Sequence, residues 1–165
     1  VTSETFTGEV RSVRLARRFV AEHVNAVDID TDLAVLLTSE LASNVVKHAC
    51  TNFDVVVCVD SDRVRVEIHD GMAVTEAFRD LIKRPPLEIE ASASGGRGLL
   101  LLGSTVNRFG LTEKPSGGKA IWFEMDRVQA AGSNGTRRER RVQEGEIVSP
   151  RAPGAERAQN ASRPD

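Results

Sequence analysis

Residues 53–59 and 63–68 form two runs rich in β-branched side chains, separated only by Asp60-Ser61-Asp62. Two such runs across a short polar turn predict a β-hairpin, and with it an antiparallel sheet at the centre of the fold. The sequence on either side fits a two-layer α/β (α+β) sandwich. A strand is expected over Glu4–Thr7 and a helix over Val10–His23, with Val13, Ala16, Val20 and Val24 at helical spacing. A second helix is expected from Thr31, read as its N-cap, to Ala49, with Asp32 in the first turn where the macrodipole favours an anion. Two more strands are expected near Val106–Leu111 and Lys119–Met125, flanking the turn Pro115-Ser116-Gly117-Gly118.

Between these elements, residues 71–97 carry weak patterns, with Pro85-Pro86 and Ser92–Gly96 as loop markers. A loop of that length inside a compact domain suits a lid. A short helix is expected from about Gly98. After Met125 the large hydrophobes become sparse, and Gly, Pro, Ser, Ala and Arg dominate. The charge changes sign at the same place. Residues 1–126 hold 14 Lys and Arg against 19 Asp and Glu, whereas residues 127–165 hold 8 against 5. Such a segment buries too little apolar surface to offset its ordering entropy. The chain is therefore divided into a folded domain, 1–126, and a disordered basic tail, 127–165. The tail's Arg137, Arg138, Arg140 and Arg141 are read as solvated.

Composition excludes several classes. The net charge of −2 offers nucleic acid no overall attraction. No apolar run reaches the roughly 20 residues needed to span a bilayer, and no signal peptide is visible, so a cytoplasmic protein is expected. Two cysteines, Cys50 and Cys58, are too few for a disulfide framework, and the three histidines (His23, His48, His69) are scattered rather than spaced for zinc.

The second helix carries the chemistry. At about 100° per residue, Leu33, Leu36 and Leu37 share a stripe with Glu40, Asn44, Lys47 and His48. Val35, Leu41, Val45 and Val46 occupy other faces. A stripe that starts apolar and turns polar asks for partners for those polar groups. A carboxylate such as Glu40 can take a proton from an attacking hydroxyl or water. The carbonyl oxygen of Asn44 is a hard, neutral ligand of the kind Mg²⁺ prefers. Lys47 and His48 can neutralise phosphate oxygens. A helix that simply ends at the surface after Leu37 remains the plainer alternative.

Glycines supply the second signal. Asp70-Gly71 closes the strand that starts at Arg63, and a carboxylate there could accept from an exocyclic amine or merely turn the chain. Gly95-Gly96-Arg97-Gly98 leads straight into Leu99–Leu102. Glycines before an apolar helix let backbone N–H groups meet an anion at the helix N-terminus, and polyphosphate is the natural candidate. No Gly-Lys-Ser/Thr follows, so this is not the Walker pattern. Gly117-Gly118 reads as a hairpin turn.

In this order, these residues resemble the GHKL ATP-binding superfamily of gyrase, the heat-shock chaperone ATPase, histidine kinases and the mismatch-repair ATPase. Glu40–His48 is similar to its N box, Asp70-Gly71 to its first glycine box, and Gly96-Arg97-Gly98-Leu99 to its second. The resemblance spans about residues 5–126 and implies a Bergerat-type fold: a mostly antiparallel sheet covered on one face by helices. It also implies binding of ATP and Mg²⁺. Glu40 would be the general base, Asn44 the Mg²⁺ ligand, and Lys47 or His48 a phosphate neighbour. Asp70 would bind the adenine amino group beside Gly71, with Gly96, Arg97, Gly98 and Leu99 along the phosphates. Two departures stand out. Asp70-Gly71 is followed by Met72-Ala73 rather than the fuller D-x-G-x-G, and Ala120 stands where a Thr is common.

With its single small domain, the chain looks most like the anti-sigma-factor serine kinases of the sporulation and general-stress type. That resemblance implies phosphorylation of a serine on an anti-anti-sigma (STAS) protein and capture of a sigma factor. It leaves a homodimer open, since relatives of that kind often dimerise. A non-catalytic module that sequesters a sigma or STAS protein, and a stand-alone ATPase, are the alternatives.

Overall fold

The computed structural model describes residues 1–83, 102, 105–115, 117–128 and 146–148. Six strands form one sheet in the order β1-β2-β3-β5-β4-β6. They are β1 (Thr2–Phe6), β2 (Phe53–Val59), β3 (Arg63–Asp70), β4 (Arg108–Glu113), β5 (Lys119–Asp126) and β6 (Glu146–Val148). Every neighbouring pair is antiparallel. The helices are α1 (Val10–Val24), α2 (Thr31–Asn44) and α3 (Glu76–Lys83). This is the two-layer α+β architecture that the hairpin pattern predicts.

Alternation along the strands gives the sheet two different faces. Val55 and Val57 of β2, Val64, Val66 and Ile68 of β3, Ile121, Phe123 and Met125 of β5, and Phe109 and Leu111 of β4 fall in register on one face. All are buried in the core shared with the helices. Phe6 anchors the β1 edge by stacking on Phe53 at 5.5 Å and meeting Phe19 of α1 edge-on at 6.1 Å. Ala16, Val20 and Val24 of α1 and Ala34, Leu37 and Leu41 of α2 complete the layer, all at most 1% exposed.

The other face is polar yet largely buried. Arg63, Arg65 and Glu124 are among its buried side chains, and the Arg65 guanidinium lies 3.8 Å from the Trp122 ring centroid.

Two boundaries differ from the sequence reading. The weakly patterned stretch after Gly71 contains α3. Its start is marked by Thr75, whose hydroxyl accepts from Phe78 N at 3.3 Å, and it buries Ile82 completely. Eight residues give too few turns for periodicity to stand out from a loop. The chain also stays attached beyond 126. Arg127 N donates to Asp62 O at 2.9 Å and Val128 N to Asp28 O at 2.8 Å, while Glu146–Val148 pairs with β4. The remaining residues of 127–165, including Arg137, Arg138, Arg140 and Arg141, lie outside the described residues. Among the described residues no helix is long and apolar enough to cross a membrane.

Candidate functional site

The N-cap of α2 is Asp30, not Thr31: its carboxylate accepts from Leu33 N at 2.9 Å. Both residue types cap well, and the chain's entry angle decides between them. From there the helix buries Ala34, Leu37, Thr38, Leu41 and Ala42. On a wheel of about 100° per residue, that buried arc centres roughly 120° from Glu40. Leu36 is 45% exposed, so the leucine stripe drawn through it does not enter the core as a unit. Glu40 and Asn44 sit on the flank of the buried arc and are both half-buried.

That position is chemically useful. A carboxylate and an amide one turn apart lie side by side on a helix surface. Among the described residues, no hydrogen bond or ion pair engages the side chains of Glu40, Asn44, Lys47 or His48. Glu67, Glu113 and Glu124, by contrast, are each committed to cationic partners.

The helix does not continue as α to Ala49. Val45–Ala49 widens into a π-turn, closed by Cys50 N donating to Val45 O at 3.0 Å. Cys50 then takes the left-handed conformation, at φ 51°. A widened turn resets the angular phase, so Lys47 and His48 do not keep their α-wheel positions beside Glu40. Both are exposed. Such turns in helices frequently occur at functional sites.

The turn delivers the chain to Thr51, whose hydroxyl accepts from Gly71 N at 3.4 Å. Two residues later β2 begins, and Phe53 pairs with Asp70 across the ladder. The C-terminal end of the 40–48 segment and the Asp70-Gly71 corner therefore meet at one end of the domain. Gly71 has room for a side chain: a Cβ there would come no closer than 3.6 Å to Thr51. Packing within the described chain does not demand glycine at that position.

Asp70 occupies the last row of the helix-facing side of the sheet, where the apolar pattern stops. The row runs Asp70–Lys119–Glu113 across β3, β5 and β4. Lys119 Nζ donates to Asp70 Oδ1 at 2.7 Å, with side chains 8% and 2% exposed. Arg79 of α3 closes the row with two hydrogen bonds to Glu113, one of 2.7 Å. The hydrogen bond from Arg79, followed by its charge, holds the Glu113 carboxyl below its ordinary value.

Lys119 stands beside Asp70 in this row, although no motif in the sequence singles it out. Ala120, the departure from the family pattern at this strand, pairs with His69, and Lys119 is the residue in register with Asp70. Gly118 makes the approach possible. Its φ is +83°, and a Cβ there would sit 2.3 Å from Asp70 O.

The family model described as the histidine kinase-like ATPase domain matches residues 6–125. The chain belongs to that family. The match starts at Phe6, the last residue of β1, takes in α1–α3 and β2–β4, and ends one residue before β5 does. A comparison with curated proteins returns no match. Of the residues named from sequence, Glu40, Asn44, Lys47, His48, Asp70 and Gly71 belong to two segments joined through Thr51. Gly96, Arg97, Gly98 and Leu99 lie outside the described residues. Within the described part of the ATPase domain, no group of three or more His, Cys, Asp and Glu is arranged to hold a metal. The donor set here fits Mg²⁺ held by the Asn44 oxygen together with phosphate oxygens, the sparse protein ligation that this ion accepts.

Proposed function

We propose that this chain is an ATP-binding protein-serine kinase that acts as an anti-sigma factor. It phosphorylates a serine of an anti-anti-sigma STAS protein and thereby regulates transcription by partner switching. The observation that carries the reading is the uncommitted pair Glu40 and Asn44, half-buried one turn apart on α2 of a histidine kinase-like ATPase domain. Polar groups left half-buried without partners suit a site that gains them from a ligand.

In this reading Glu40 accepts the proton of the partner's serine hydroxyl as that oxygen bonds to the γ-phosphorus. The bond from phosphorus to the β–γ bridging oxygen breaks, and ADP leaves. Asn44 offers its carbonyl oxygen to Mg²⁺, which when bound neutralises charge on the phosphate oxygens. Lys47 and His48, both exposed, are free to meet the phosphate chain. Asp70 accepts from the exocyclic amine of the base. Gly96, Arg97, Gly98 and Leu99 are assigned to the phosphates by their resemblance to the second glycine box. The partners are proteins, a STAS protein and a sigma factor, in the cytoplasm, with a homodimer left open.

The test is phosphate transfer from radiolabelled Mg·ATP to candidate STAS proteins. Glu40→Ala should lose transfer by a factor of at least about 100, the lower range for a positioned general base, while retaining ATP binding. Asn44→Ala should lose Mg²⁺-dependent nucleotide binding. Normal transfer by Glu40→Ala sinks the mechanism. Steady phosphate release with no partner present marks a stand-alone ATPase instead.

A further inference from the structure

The Asp70–Lys119 pair is better equipped than an ordinary cross-strand ion pair. Asp70 Oδ1 accepts two hydrogen bonds, from Lys119 Nζ at 2.7 Å and from Met72 N at 2.8 Å. Among the described residues no hydrogen bond reaches Oδ2. A carboxylate has about four lone-pair sites, so the acceptor capacity of that second oxygen is unspent. Lys119 is in a matching state. Its ammonium has three donors, of which one goes to Asp70. The Phe78 ring, with its centroid 5.9 Å from Nζ, meets the charge without accepting a conventional hydrogen bond. Lys119 is only 6% exposed, so its remaining donors have little water to turn to. Leaving donors of a buried charged group unmade is costly, which points to a ligand that supplies acceptors.

Resting on the nucleotide-site reading above, we propose that Lys119 is a specificity-determining residue of the base pocket. Its ammonium donates to the ring nitrogen beside the exocyclic amine that Asp70 binds. The pair presents an acceptor, Oδ2, next to a donor, Nζ. The Watson–Crick edge of adenine presents the complement: the N6 amine donates and the adjacent N1 accepts. The pair is also neutral as a unit, so an uncharged base meets no unbalanced buried charge. The fold holds the donor in place. Gly118 passes against the Asp70 carbonyl as only glycine can, and the ladder then sets Lys119 opposite Asp70. The neighbouring carboxylate in the row, Glu113, is taken by Arg79, which leaves Lys119 to Asp70.

The experiment compares binding of ATP and 1-deaza-ATP, in which a C–H replaces N1, to the full chain. The wild type should bind ATP about tenfold more tightly than the analogue, the worth of one charge-assisted hydrogen bond. Lys119→Met should bind the two equally. Lys119→Met also strands a buried carboxylate, so the double variant Asp70→Asn/Lys119→Met is measured beside it. Should the single variant fail to melt cooperatively, the double variant carries the readout, with the same loss of discrimination expected. A purely structural ion pair would lower the melting temperature and leave the N1 preference intact. Persistence of that preference without Lys119, or its absence from a wild type that binds ATP, overturns the assignment while sparing the ATP site. Failure of the wild type to bind either nucleotide overturns both readings together.

Discussion

Arg65 and Glu124 face each other across β3 and β5, Arg65 Nη1 donating to Glu124 Oε1 at 3.3 Å. Arg63 reaches the other oxygen, Oε2, at 3.2 Å. Glu124 thus joins two arginines on the sheet face away from the helices, and all three side chains are at most 7% exposed. Arg63 is further held by Asp62, and Arg65 by Glu67. Removing one member of a buried ionic group leaves charge without compensation. Glu124→Leu is expected to destabilise the domain by about 3 kcal/mol, measured by urea unfolding at neutral pH. A loss below about 1 kcal/mol, the range of an exposed pair, would show that water reaches this face freely.

The same network predicts a pH dependence. Burial pushes the Glu67 carboxyl up, but the hydrogen bond to His69 and the charge and hydrogen bond of Arg65 together outweigh it, leaving the group below its ordinary 4.5. A carboxyl depressed in the folded state contributes stability that is complete above its unfolded value. That contribution disappears as pH falls through the lower, folded value. Glu67→Gln should therefore melt below the wild type at neutral pH, and the gap should close as pH drops below 4.5. A gap that stays constant down to pH 3 would refute the linkage.

Gly117 and Gly118 allow a clean comparison. Both have positive φ, +90° and +83°. A Cβ at Gly117 meets nothing within 4 Å, whereas one at Gly118 runs into Asp70 O at 2.3 Å. Gly117→Ala should cost only the strain of the left-handed region, about 1–2 kcal/mol. Gly118→Ala should cost more, because a backbone carbonyl in a sheet cannot step aside, and the Asp70–Lys119 contact should loosen with it. Chemical denaturation of both variants checks the order. Equal losses would mean that the close approach at Gly118 is not needed.

Much of this architecture was legible in the chain before folding was considered. The runs at 53–59 and 63–68 are rich in β-branched residues on either side of a short polar turn, and the structure pairs them as β2 and β3. The helical spacing from Val10 matches α1 within a residue. Local features failed where several solutions are nearly equal in energy. Asp30 and Thr31 are both good caps, and α3 is too short for its period to stand out. Nothing in the local pattern of Val45–Ala49 announces the π-turn that ends the helix before β2.

The candidate site divides in the same way. Glu40 and Asn44 are neighbours because they are four residues apart on one helix, a relationship that any chain with this segment in α-helical form must have. Lys119 and Asp70 are 49 residues apart, and neither carries a local signal for the other. Their contact depends on β5 entering the sheet beside β3 in one register, and a slip of a single residue would turn Lys119 to the opposite face. The sequence alone determined which helix face bears a carboxylate and an amide, because helical geometry is a short-range property of the backbone. Only the tertiary structure decided which cation stands beside Asp70, because strand register is set by the packing of the whole apolar face.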